Sequence, residues 1–132
     1  MTTELEVRPS YTLRVDTPDG TMWCTIIEAN GEPNEIHAQI GKSGSSIRAW
    51  TSALASLATE AIRHGISLNT VAISISEITT DKVKRHGDGI SIRSGPEGIV
   101  YCILRYIEHK KKEREGGRPP KWLGRGTPFE IE

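Results

Sequence analysis

The sequence predicts an α+β domain: an antiparallel sheet of three to five strands with two main helices packed on one face. Three observations predict it. Apolar residues alternate with polar ones up to Ile40, turn-forming pairs interrupt that alternation, and from Ile47, and again from Ile99, the apolar spacing changes to three and four residues. A chain of 132 residues has room for one hydrophobic core.

The elements follow in order. Tyr11, Leu13 and Val15 alternate with Thr12 and Arg14, the signature of a strand with one buried side. Pro18 and the Asp19-Gly20 pair reverse the chain. Over Thr21 to Ala29, Met22, Cys24 and Ile26 face one way and Trp23, Thr25 and Ile27 the other, so both faces of this strand are expected to be covered. Asn30-Gly31 suits a two-residue hairpin, whose central residues need positive φ, and a third strand then carries Ile36, Ala38 and Ile40 inward. The first helix places Ile47, Trp50, Leu54, Leu57, Ala61 and Ile62 on one stripe, expected to face the core, and Gly65 ends it.

Residues 67–78 fit a strand through Val71, Ile73 and Ile75 and a short helix through Leu68, Val71, Ala72 and Ile75, with β-branched content on the side of the strand. A polar excursion, "TTDKVKRHGDG", precedes "ISI", which could pair as an extra strand. The second long helix presents Ile99, Cys102, Ile103, Tyr106 and Ile107 on one face. Ser94 and Glu97 form a capping box at its start, with Pro96 tolerated in the first turn. Beyond Arg114, Gly and Pro exclude further helix, and Trp122, Leu123, Phe129 and Ile131 anchor an extended arm.

Composition limits the function classes. No apolar run approaches the roughly 18 residues of a membrane span, and acids stand where a signal peptide would be basic and then apolar, so a cytoplasmic protein without membrane contact is expected. Two distant cysteines in apolar segments, Cys24 and Cys102, read as buried free thiols. The net charge is zero, yet residues 1–36 hold seven acids and two bases while residues 110–125 hold seven bases and two acids. Such a basic end suits polyanions or the acidic end of a second copy.

Three segments are candidate sites. "GKSGSSIRAW" opens a helix, where free N–H groups and the positive end of the dipole attract anions, and Lys42, Ser43, Ser45, Ser46 and Arg48 add donors suited to phosphate. It lacks the order of a Walker loop, and Ser45 or Ser46 could serve simply as a cap. "KRHGDGISIRSGPEG" brings His86, Asp88, Arg93 and Ser94 as ligand contacts. The arm interleaves Lys121 and Arg125 with Trp122, as single-strand and nucleotide binders do. The four histidines lack zinc spacing and no Gly-x-Ser-x-Gly elbow occurs, so neither a metal, a cofactor nor a catalytic residue is expected.

The segment from Gly31 to Leu68, with its Pro-x-Glu-Ile strand joined to Gly-Lys-Ser-Gly, together with "RSGPEGIVYCIL", resembles the TSCPD domain found at the C-terminus of vitamin B12-dependent ribonucleotide reductases. The resemblance covers roughly residues 21–108 and favours helix for residues 67–78. It implies a stand-alone domain over residues 1–115 followed by an arm over 116–132. Where the family's name motif has Cys and Asp, this chain has Gly95 and Glu97, so a thiol or metal role there has no ligand, whereas the capping oxygens remain. The reductase barrel and its radical cysteines are missing. The expected function is a non-enzymatic module binding a nucleotide or nucleotide-derived signal in a homo-oligomer, by analogy with the sponges that phages deploy against Thoeris or CBASS immunity. A regulatory or assembly subunit of a reductase and a single-stranded nucleic-acid binder are the alternatives.

Overall fold

The computed structural model describes residues 7–41, 45–76, 78, 83–85, 89–114 and 121–123. Strands β1 (Ser10–Thr17), β2 (Gly20–Ala29) and β3 (Glu32–Ile40) form an antiparallel meander in that order. Helix α1 (Ser46–Arg63) and the shorter α2 (Leu68–Ile75) follow, then a two-stranded ribbon of β4 (Lys84–Arg85) and β5 (Ser91–Ile92). Helix α3 (Gly95–Glu113) and one 3-10 turn, Lys121–Leu123, complete the described chain. The α+β class is as the sequence predicts, and among the described residues the five strands are divided between two sheets.

Local chemistry accounts for the turns. Asn30 and Gly31 both adopt positive φ, 55° and 78°, between the paired Ala29 and Glu32. Pro18 and Asp19 make the first reversal between paired Thr17 and Gly20, and the Thr17 hydroxyl fixes it by donating to Gly20 O (2.7 Å) and accepting from Asp19 N–H (3.1 Å). At the end of α1, Gly65 at φ +93° allows a paired closure: its N–H reaches Ile62 O (3.2 Å) while Ile66 N–H reaches Ala61 O (3.0 Å). Residues 68–75 are helical. Ser67 caps them by accepting from Thr70 N–H (3.1 Å), and Leu68, Val71, Ala72 and Ile75 are buried on one side, so the helical alternative holds.

Met22, Cys24 and Ile26 of β2 and Ile36, Ala38 and Ile40 of β3 point into the core. There α3 packs on β1 and β2 through Ile99, Cys102 and Ile103, and α1 packs on β3. Each fully buried side chain of this size contributes about 1.5–3 kcal/mol. Both thiols are buried and free, as read from the sequence, and Cys102 Sγ lies 3.8 Å from Cys24 O. A hydrogen bond from Cys102, reinforced by burial, pushes the Cys24 thiol well above its ordinary range.

Two expectations about faces fail. Trp23 is 53% exposed, in a row with its strand partners Arg14 and Gln39, because all the helices pack on the side of Met22 and Cys24. One Trp among Thr, Arg and Gln does not amount to a second apolar face. In α1 the residues turned to the sheet are Thr51, Ala55, Ala58 and Thr59, whereas Trp50 and Leu57 of the expected core stripe are exposed and Leu54, Ala61 and Ile62 are half-buried.

Thr59 explains why α1 sits this way round. Its hydroxyl accepts from Ile36 N–H (2.9 Å), and its proton is shared by Ile36 O (3.1 Å) and Ala55 O (3.0 Å). The outer peptide groups of a strand with no further neighbour in its sheet are thereby satisfied from the helix. Thr59→Val, which keeps the shape and removes the hydroxyl, is expected to cost about 1–3 kcal/mol in urea unfolding, since both Ile36 groups are left unpaired under the helix.

Candidate functional site

The candidate site begins where β3 runs into α1. Gly41, at φ +68°, turns the chain out of the strand. Lys42 and Ser43 lie outside the described residues. Ser45 is the N-cap: its Oγ accepts from Arg48 N–H at 3.2 Å and its carbonyl from Ala49 N–H at 3.1 Å. The cap expected from sequence is therefore present, and Arg48 is half-buried one turn on. No acid occupies the first turn of this 18-residue helix, so no carboxylate of its own sequence there offsets the positive end of its dipole.

The entrance of α3 is built differently. Ser94 caps it, accepting from Glu97 N–H (3.0 Å) and donating to Ile78 O (2.5 Å). The Glu97 carboxylate accepts from Arg93 N–H (2.8 Å) and from the Arg93 guanidinium (2.7 Å), so the capping box closes one residue earlier than its usual form. Gly95 N–H donates to Asp19 Oδ2 (3.0 Å), a carboxylate delivered by the β1–β2 turn. The positive end of α3 thus holds two acids of its own chain. His86 and Asp88 lie outside the described residues.

The two entrances share one end of the sheet. A Cβ on Gly95 would stand 3.8 Å from Ile40 Cδ1, 4.0 Å from Thr51 Oγ1 and 3.2 Å from Asp19 Oδ2. Ser45 and Arg48 on one helix and Arg93 and Ser94 on the other therefore flank the same edge, with Asp19 on the α3 side. The described part of the arm, Lys121–Leu123, lies elsewhere. Trp122 and Leu123 are half-buried, and the Trp122 ring packs against Tyr106 with centroids 5.3 Å apart. Lys121 belongs to that short turn and Arg125 is outside the described residues.

The sequence reading missed a buried polar cluster at the other end of α3. Glu28 accepts from the Tyr106 hydroxyl (2.5 Å) and pairs with Lys110 Nζ (3.0 Å), which also reaches Glu113 (3.1 Å) and lies over the Tyr11 ring. The signal was parity: Glu28 continues the inward series Met22, Cys24, Ile26, while Tyr106 and Lys110 are four apart on α3. Burial, then the bond to Glu28, pushes the Tyr106 phenol up. Burial alone would lower the Lys110 ammonium, but its bonds to Glu28 and Glu113 outweigh that and raise it.

A folded-state value above the unfolded one means stability that is intact below the unfolded pKa and lost as pH rises. Unfolding in a pH series should therefore become easier above the ordinary values of 10.0 and 10.5 for these two groups, and Tyr106→Phe should flatten that alkaline limb. The adjoining groove, walled by Tyr11, Leu13, Cys102, Arg105 and His109, encloses about 140 Å³. Small-molecule pockets usually begin at about 300 Å³, so this groove is small for a nucleotide.

The family model for the TSCPD domain matches residues 3–107, most of the chain, from ahead of β1 into α3. The chain belongs to the TSCPD domain family. No curated protein and no solved structure matches it. This TSCPD domain has Gly95 at the second position of its Ser-Gly-Pro-Glu motif, and there a side chain would press on Asp19. The motif serves as the cap of α3 through Ser94 and Glu97. Among the described residues no helix is long and apolar enough to cross a membrane.

Proposed function

We propose that this TSCPD domain is a non-enzymatic module that binds a nucleotide or nucleotide-derived signal, with its phosphate at the start of α1. The observation that carries the reading is the difference between the two helix entrances. The α3 end is neutralised by Asp19 and Glu97, whereas the first turn of α1 contains Arg48 and no acid, directly after the loop bearing Lys42 and Ser43.

A binder that does not transform its ligand lowers the free concentration of a messenger, which is how a phage sponge for a cyclic nucleotide or ADP-ribose signal would act. The freshly purified chain should carry absorbance at 260 nm that heat releases as a small molecule. Lys42→Ala should weaken rebinding by about tenfold, the effect of one charged contact worth about 1.4 kcal/mol. Arg93→Ala should change it less, because that guanidinium is already engaged with Glu97. Affinity falling steeply with salt and lost on truncation at Glu115 would favour single-stranded nucleic acid instead. A reductase captured without any ligand would favour the regulatory subunit.

A further inference from the structure

Helix α1 has two apolar faces and the fold uses one. Short side chains, Thr51, Ala55, Ala58 and Thr59, seat it on β3. The other face carries Ile47, Trp50, Leu54, Leu57 and Ala61, alternately three and four residues apart, the 3.5-residue period of a two-helix seam. Ile47 is 40%, Trp50 76% and Leu57 68% exposed. The 11 residues from Ala49 to Thr59 include no charged side chain in a chain that is 26% charged, which is not the composition of a solvated helix surface. Ala53 flanks the seam with a small side chain, leaving room for a second backbone to approach.

We infer that this face is the interface with a second copy of the chain, α1 packing antiparallel to α1 about a two-fold axis at Leu54. The occupant is identified by self-complementarity. With the axis there, Leu54 meets Leu54 of the other copy, Trp50 meets Leu57, and Ile47 meets the small Ala61. A parallel pair would instead set the two helix dipoles side by side in the same sense. Trp50, Leu57 and Ile47 offer on the order of 400 Å² of apolar surface per copy, the dry centre of an interface at the lower end of the specific range. The inference does not depend on the ligand proposed above, and its test uses none.

The full chain at about 100 μM, above the Kd of a micromolar interface, should sediment at twice its 14.6 kDa mass. Trp50→Glu, at an exposed position that leaves the fold intact by circular dichroism, should give a monomer. Leu54→Cys should form a covalent dimer under mild oxidation, since Cys24 and Cys102 are buried. A monomeric wild-type chain, or a dimer that survives Trp50→Glu and fails to cross-link through position 54, overturns the proposal, as does capture of an unrelated protein by a chain that stays monomeric.

Discussion

Glu28→Ala is expected to lower the unfolding free energy by about 3–5 kcal/mol, the cost of stripping one partner from a buried ion pair. Glu28 is 2% exposed, and its carboxylate is the acceptor for both the Tyr106 hydroxyl and the Lys110 ammonium. Removing it strands a cation whose side chain is only 15% exposed, with Glu113 as its remaining acid. Adding Lys110→Met to Glu28→Ala should recover part of the loss, because the uncompensated charge is then gone. Urea unfolding followed by Trp fluorescence measures this, since Trp122 packs on Tyr106. A loss below about 1 kcal/mol would mean that the cluster behaves as an exposed salt bridge and has no special weight in the fold.

The second large effect is expected at Gly98, where the first turn of α3 crosses β1 and β2. A Cβ there would come within 2.9 Å of Thr17 Cγ2 and 3.3 Å of Met22 Sδ. Gly98→Ala should therefore destabilise by about 1–3 kcal/mol through overpacking, even though alanine favours the helix by about 0.5–1 kcal/mol. The relief mutation is specific. Thr17→Ser deletes the clashing methyl and keeps the hydroxyl that binds Gly20 O and Asp19 N–H, so Thr17→Ser with Gly98→Ala should regain most of the loss. If the double variant is no better than Gly98→Ala alone, the contact with Met22 is the one that matters.

What the sequence made legible was local. Asn30-Gly31, the Gly65 closure and the caps at Ser45 and Ser94 each depend on residues within about five positions, and each stands where the residue types place it. The inward series of β2 and β3 and the buried face of α3 are equally plain, because one strong period has one interpretation. Sidedness was not legible where two faces competed. The larger side chains of α1 suggested the core stripe, but the seat on β3 takes the smaller ones, and a hydroxyl at Thr59 decided the matter through partners 23 residues away. Trp23 misled for the same reason.

The site was legible in part. Sequence chemistry located the two helix entrances, with Ser45 and Ser94 as their caps. That Asp19 would lie against Gly95 depends on a contact across 76 residues that no spacing encodes. The Glu28–Tyr106 pair, across 78 residues, was hidden likewise.

The Thr59 hydroxyl has one more consequence. A strand arriving from another molecule to lengthen the sheet beyond β3 would find both peptide groups of Ile36 already engaged and a helix lying across the approach. Growth into fibrils by recruitment at that margin is blocked midway along it. The chain can then reach high concentration without polymerising there.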